Sequence, residues 1–282
     1  MTRVWGEDGA LLDHLGVDVE RLRQLEVGLE RPRALPGGTT IIDAHVHLGE
    51  DADGHHLSAP DLLRDLDRHG IARAVCFPAN EPGADGRFTA ANLAVARAAA
   101  AGDGRIVPFC RVDPRRPDAV RTLERAAADG ARGLKLHPVS QRFRPEDPAV
   151  ILLVRAAGER GWPVLIHAGF GARPLGAAIA ALADACPDTT LILAHGGRGD
   201  PRALARLAAD RPRILFDTSL AALGDLVALG PERLCFGSDR PYGDHASALQ
   251  VVALAARIGG WSDDQLRAVL GANLARLVEG AA

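Results

Sequence analysis

Two histidines in the segment Asp43-Ala44-His45-Val46-His47 are the first residues whose types and spacing suggest chemistry. Side chains two residues apart on a strand point to the same face, so Asp43, His45 and His47 are expected to project together. Imidazole nitrogens suit zinc and other divalent transition metals. A pair of hydrogen-bonded core histidines would show the same pattern, so this segment alone leaves both interpretations open.

Four more polar residues follow short apolar runs further along the chain: His137, His167, His195 and Asp239. The runs before them are aliphatic or β-branched and are bounded by turn residues, which is typical of strands. If these strands are parallel in a barrel, their carboxyl ends meet at one rim. Several imidazoles and a carboxylate at one rim favour a shared metal site over isolated core histidines.

The elements that must position these residues alternate between strand and helix. The predicted strands span 41–47, 71–77, 106–112, 133–137, 164–167, 190–195, 213–218 and 234–238. Helical periodicity predicts helices at 57–69, 90–101, 117–129, 148–160, 175–185 and 201–210. Near-continuously apolar strands, such as 164–166 and 191–193, are typical of parallel strands covered on both faces.

Strand–helix units spread over about 240 residues predict an α/β protein with the (β/α)8 TIM barrel fold, whose typical size is about 250 residues. A doubly wound open sheet is the alternative. It is disfavoured because no glycine-rich phosphate loop follows the first strand. We expect one barrel domain at 41–282 and an amino-terminal extension at 1–40 that is helical, with a candidate helix at 19–31.

The composition of the 282-residue chain excludes several classes of protein. Hydrophobic residues make up 47% and charged residues 24%, which are ordinary globular values and exclude a disordered chain. A net charge of -3 gives no broad basic field for nucleic acid. No apolar run approaches the roughly 20 residues of a membrane span, and the amino terminus lacks a secretory apolar core. We expect a cytoplasmic protein that binds a small molecule, with neither nucleic acid nor membrane as partner.

Some residues of chemically interesting types have structural explanations. The cysteines form no C-x-x-C pair, which argues against a disulfide framework and favours core positions: Cys76, Cys110, Cys186 and Cys235. Three histidines are expected on the surface: His14, His69 and His245.

The ordered motifs resemble the amidohydrolase superfamily, and within it the amidohydrolase-related (amidohydrolase 2) branch that includes aminocarboxymuconate semialdehyde decarboxylase. The resemblance rests on the segments 43–47, 133–138 (Gly-Leu-Lys-Leu-His-Pro), 195–197 (His-Gly-Gly) and 237–239 (Gly-Ser-Asp), together with His167. It runs from residue 41 to about 277, where 271–277 is similar to the terminal helix of the branch. These motifs are specific for the superfamily and weak for the substrate.

The resemblance implies one divalent metal, most often Zn²⁺, held by His45, His47, His167 and Asp239. Asp239 would accept a proton from the attacking water and return it to the leaving group. His195 would orient the nucleophile or stabilise developing negative charge.

Other residues keep alternative roles under this resemblance. Lys135 could bind a substrate carboxylate, pair with an aspartate inside the barrel, or be carboxylated and bridge two metals. His137 is a substrate contact or a group behind the ligands, and Asp43 is expected to fix an imidazole tautomer. Arg111 and Arg240 could clamp an anionic substrate or form structural ion pairs.

The leading functional hypothesis is a metal-dependent hydrolase that cleaves a C–N or C–O bond of a small carboxylated molecule with activated water. The alternative on the same metal site is non-oxidative decarboxylation of an unsaturated or aromatic acid. A barrel that holds metal without turnover is a third hypothesis, which the complete ligand set disfavours. Barrels of this branch are often dimers, so a homodimer is expected.

Overall fold

The computed structural model describes residues 34–80, 87–169, 171–172 and 174–279. The candidate helix at 19–31 lies outside these residues. Within them the chain folds as the predicted α/β TIM barrel. The strand segments are β1 (Ile42–Glu50), β2 (His56–Leu57), β3 (Arg73–Pro78), β4 (Ile106–Pro108), β5 (Cys110–Arg111), β6 (Leu134–Leu136), β7 (Val164–Ile166), β8 (Leu191–Leu193), β9 (Ile214–Asp217) and β10 (Leu234–Cys235).

The barrel strands pair in parallel in the orders β1-β3-β4 and β5-β6-β7-β8-β9-β10. The two sheets meet where β4 runs into β5, because the N–H of Phe109 between them bonds Cys76 of β3 over 2.8 Å and the N–H of the next residue, Cys110, bonds Gly133 beside β6 over 2.9 Å. They also meet where β10 lies beside β1, through a backbone bond of 2.7 Å from Ala44 to Phe236. The wall is therefore closed, and all eight predicted strands contribute to it. β2 is an additional short strand that pairs antiparallel with the end of β1.

The described helices cover the outside of the barrel. They are α1 (Ala59–His69), α2 (Thr89–Ala101), α3 (Ala119–Ala128), α4 (Pro138–Gln141), α5 (Pro148–Gly158), α6 (Gly176–Ala185), α7 (Pro201–Ala209), α8 (Leu223–Leu229), α9 (His245–Ile258), α10 (Asp263–Arg267) and α11 (Asn273–Val278). The six helices predicted from periodicity are all present. The first begins later than predicted, because residues 56–57 pair as β2 and Ser58 caps the helix by accepting the Asp61 N–H.

The core lies between the strands and the helices and continues into the barrel interior, where α11 closes the bottom with Leu274 and Val278. All four cysteines are buried and free, as predicted. No described helix has the length and apolarity needed to cross a membrane.

A bulge in β1 decides which side chains enter the barrel. Asp43 pairs with Ala74 and Val46 pairs with Cys76, so β1 has one more residue than β3 between these two pairs. His45 and His47 consequently face the interior, whereas Asp43 faces α9. The expectation that all three side chains project together was wrong, because an inserted residue interrupts the strict alternation of a strand.

Candidate metal centre

Three potential metal ligands converge at the carboxyl end of the barrel. Asp239 Oδ1 lies 3.1 Å from His45 Nε2 and 3.2 Å from His47 Nε2. The two imidazole nitrogens are themselves 3.2 Å apart, and all three residues are buried. Two imidazoles and one carboxylate are a donor set that suits zinc and related divalent ions, so the residues fit a metal.

The backbone positions the carboxylate of this group. Asp239 follows β10 in the left-handed region, with φ of 61°. Its N–H donates to the carbonyl of His45 over 2.9 Å, so the turn is tied directly to the strand that carries both histidines. Burial raises the pKa of a carboxyl, but His45 and His47 outweigh it and hold the pKa of Asp239 well below its usual range. Asp239 is therefore a carboxylate, able to bind a cation.

Asp217, at the end of β9, fixes the orientation of His45. Its Oδ2 lies 2.7 Å from His45 Nδ1, so Nδ1 carries a proton and Nε2 is the nitrogen turned to Asp239. Its Oδ1 accepts the N–H groups of His195 and Ser219, both at 3.0 Å, and the Ser219 hydroxyl at 2.5 Å. Asp217 was not among the residues predicted for the site, although it stands near the end of a predicted strand, the same signal that identified the histidines.

Asp43 does not have the predicted role of fixing an imidazole tautomer, because the bulge turns it away from both imidazoles. Its carboxylate instead accepts hydrogen bonds from Ser238 and from His245 Nε2, the latter at 3.1 Å. His245 is 1% exposed, so its predicted surface position was wrong.

Lys135 on β6 lies beside the ligand group. Its Nζ is 3.1 Å from His45 Nε2 and 4.6 Å from the centre of the Phe77 ring. Burial lowers the pKa of Lys135 to about 7, because the charged ammonium is poorly solvated there. The structure places Lys135 against the candidate ligand His45, and its roles in binding substrate, pairing with an aspartate or bridging two metals stay predictions.

Three further histidines form a second group that adjoins the first, since the centres of the His45 and His195 rings are 5.1 Å apart. His195 Nε2 lies 3.1 Å from His167 Nδ1, and the His137 ring stacks on His167 at 3.9 Å. Burial lowers the pKa of His195 to about 4 and that of His47 to about 3. These rings are neutral at ordinary pH. The structure does not bring His167 into the group formed by His45, His47 and Asp239, so its role as a further ligand stays a prediction.

Gly169 leaves room for the His195 ring. A Cβ on Gly169 would lie 2.5 Å from the His195 ring, and His195 itself has a φ of 60° in the turn after β8. A residue larger than glycine would therefore displace the imidazole.

A cavity of about 260 Å³ opens above the candidate ligands. It is lined by His47, Asp51, Asp53, Asn80, Arg111, His137, Ser140, His167, His195, Asp239 and Tyr242. The Tyr242 ring stands edge-on to His47 at 5.1 Å, and its hydroxyl donates to Asp51. Burial and Asp51 raise the pKa of Tyr242, so the phenol keeps its proton.

The two arginines predicted to bind substrate differ in placement. Arg111 is 1% exposed, lines the cavity and donates to the Ser140 hydroxyl over 2.8 Å. No carboxylate among the described residues lies within ion-pair distance of it. Burial lowers its pKa only to about 10, so it stays charged. Arg240 does not line the cavity; it forms the structural ion pair left open by the sequence, with Asp65 at 2.5 Å.

The fold and these residues define a class of protein: barrel enzymes whose site lies at the carboxyl ends of the strands and is built for a divalent metal. The chain belongs to the amidohydrolase family, which matches residues 42–279. This confirms the resemblance seen in the sequence and makes the chain a metal-dependent hydrolase or decarboxylase.

Solved structures share the barrel at low sequence identity. 5-Carboxyvanillate decarboxylase from Sphingomonas paucimobilis is 19% identical, with a TM-score of 0.68 over 86% of this chain and 99% of that one. 2,6-Dihydroxybenzoate decarboxylase from Rhizobium is 15% identical, with a TM-score of 0.70 over 86% of this chain and 100% of that one. A probable 2-pyrone-4,6-dicarboxylic acid hydrolase from Acinetobacter baumannii is 16% identical, with a TM-score of 0.62 over 85% of this chain and 99% of that one. No curated protein matches the chain.

Proposed function

We propose that this protein is a hydrolase that cleaves a C–N or C–O bond of a small carboxylated molecule. The observation that carries the proposal is the convergence of His45, His47 and Asp239 within 3.2 Å beside a cavity that holds the charged, buried Arg111. One Zn²⁺ is the proposed metal, with His167 as a further ligand. When bound, the metal would lower the pKa of water and polarise a substrate carbonyl.

The side chains around this centre supply binding and proton transfer. Asp239 is an ionised carboxylate at the cavity wall, so it can accept a proton from water and return it to the leaving group. His195 is held by Ser219 and by Asp217 at the end of β9. It faces the same cavity and orients the reacting groups. Lys135, which lies beside His45, and His137, which lines the cavity, are proposed to contact the substrate.

Arg111 is the proposed anchor for the substrate carboxylate. A buried guanidinium is costly unless it is paired, and among the described residues this one has hydroxyl and carbonyl partners but no carboxylate within ion-pair distance. A substrate carboxylate would pair with the Arg111 guanidinium through charge-assisted hydrogen bonds. The names of all three structural neighbours state that they act on carboxylated compounds, which supports this substrate class.

Non-oxidative decarboxylation is the second candidate function, because two of those neighbours are decarboxylases of aromatic acids. On this site the departing carboxylate would lie over the candidate ligands, and Asp239 or His195 would take a proton from water and pass it to the carbon from which carbon dioxide leaves. The same residues thus serve either reaction.

Product analysis separates the two. Turnover of a panel of small carboxylated amides, lactones and aromatic acids in H₂¹⁸O should place ¹⁸O in the product without release of carbon dioxide. Release of carbon dioxide with no ¹⁸O in the product would establish decarboxylation instead. Elemental analysis should find one metal per chain, lost in His45→Ala/His47→Ala. No metal would refute the site, and two would revive the carboxylated Lys135. Cytoplasmic location and homodimeric assembly stay proposals, which fractionation and light scattering test.

A further inference from the structure

The loop that carries Asp239 and Tyr242 is fastened at both ends to one buried carboxylate. Asp43 Oδ1 accepts the N–H of Ser238 at 3.0 Å, and its Oδ2 accepts the Ser238 hydroxyl at 2.5 Å, immediately before Asp239. At the other end of the loop, His245 donates from Nε2 to the same Oδ2 over 3.1 Å. The eight-residue segment 238–245 is therefore bonded to Asp43 through both its first and its last residue.

The Asp43 carboxylate has its full number of hydrogen bonds. Asp43 is fully buried and also accepts the N–H of His45 at 2.9 Å, so four donors fill the four lone-pair positions of its carboxylate. The His245 ring is 1% exposed, and Asp43 is its hydrogen-bond partner among the described residues. A buried carboxylate that loses a donor cannot turn to water for a replacement.

We propose that Asp43, Ser238 and His245 form a clamp that sets the position of the loop 239–244, and that His245 is a positioning residue for Asp239 and Tyr242. One end of the clamp fixes the proposed ligand and proton acceptor. The other end fixes the cavity wall, since Tyr242 stands between Asp239 and His245 in the chain and edge-on to His47. The clamp lies outside the barrel interior, so it acts on the site without touching substrate. Its effect on metal binding rests on the proposed function; its effect on the loop does not.

The single tyrosine of the chain gives a direct probe of the loop. Protein labelled with 3-fluorotyrosine should show one ¹⁹F resonance, displaced from its position in urea, before any metal is added. His245→Leu removes the donor and should move this resonance towards its unfolded position or broaden it. His245→Gln keeps an N–H at a similar reach and should restore it. His69→Leu is the matched control, because the His69 ring packs 5.4 Å from His245 but bonds the Asp65 carbonyl. An unchanged resonance in His245→Leu would overturn the clamp, and so would the same change in His69→Leu.

Metal affinity tests the connection to Asp239. Competition of Co²⁺ between the protein and a chelator should show binding about tenfold or more weaker in His245→Leu, as expected when a group behind a ligand is lost. In an Asp239→Asn background the same substitution should have little further effect, because the residue it positions is already altered. Equal losses in both backgrounds would overturn this step. If unmutated protein binds no Co²⁺, the metal site fails while the ¹⁹F comparison still decides the clamp. If His245→Leu does not fold, Ser238→Ala removes a different clamp bond and carries the same expectations.

Discussion

Asp217→Asn should weaken metal binding while leaving the fold intact. All four hydrogen bonds at Asp217 are donated to its carboxylate: three at Oδ1, and one from His45 Nδ1 at Oδ2. An asparagine has one acceptor oxygen. If that oxygen takes the place of Oδ1, the amide NH₂ faces His45 Nδ1, which then prefers to be unprotonated. The proton moves to Nε2, the atom that must bind the metal.

The size of the effect follows from this mismatch. To bind metal, His45 must return its proton to Nδ1 and leave two donors facing each other, which costs about 1–3 kcal/mol for a buried unsatisfied group. Since about 1.4 kcal/mol is a factor of ten, the dissociation constant should rise roughly 5- to 150-fold.

Chelator competition at constant pH measures the change, and circular dichroism checks the fold. Asp184→Asn is the control, because Asp184 pairs with Arg211 at the exposed surface. Unchanged metal affinity in Asp217→Asn would show that the Asp217 carboxylate does not set the tautomer of His45.

Three further predictions concern charge and burial. Arg111→Met should raise KM for a carboxylated substrate by about tenfold or more and leave KM for its uncharged amide unchanged, because only the carboxylate loses charge-assisted bonds; equal losses would contradict the anchor. Burial raises the pKa of all four cysteine thiols, so their reaction with a disulfide reagent should be negligible in native protein from pH 7 to 9 and complete in urea; a fast native thiol would contradict this burial. Burial opposes ionisation of Asp113, but Arg115 outweighs burial and lowers the pKa of Asp113. This ion pair therefore stabilises the fold at pH values above the ordinary pKa of a carboxyl group, and its contribution is lost as the pH falls through the lowered pKa. Asp113→Asn should therefore lower Tm by about 1–3 °C at pH 7 and by less at pH 3, and a difference independent of pH would refute the ion pair.

Strand order and the position of the chemistry could be predicted from the sequence because both depend on local patterns. Apolar runs such as 164–166 and 191–193 have no exposed face and must be covered on both sides, which is typical of parallel α/β sheets, and the number of strand–helix units favours the barrel among them. His45, His195 and Asp239 each follow such a run, so the rim that gathers them follows from topology alone.

The partners that orient these residues could not be predicted, because they are distant in the chain. Asp217 and His45 are 172 positions apart, and His245 and Asp43 are 202 apart. The bulge in β1 is a second reason: one inserted residue turns Asp43 outward, and nothing in the segment 43–47 differs from a regular strand. The burial of His245 depends on the bulge and on this distant contact, because without the outward carboxylate of Asp43 a surface position would be expected for His245.

The hydrogen bonds also distinguish the carboxylates nearest the imidazoles. Asp43 and Asp217 are each fully buried, and each accepts four hydrogen bonds, so taking up a proton would break an existing bond without a replacement from water. Asp239 instead faces the cavity, and its polar side-chain contacts among the described residues are with His45 and His47. One of its oxygens can therefore hold a cation while the other meets water or substrate. This difference in hydrogen bonding, rather than in residue type, supports the assignment of proton transfer to Asp239.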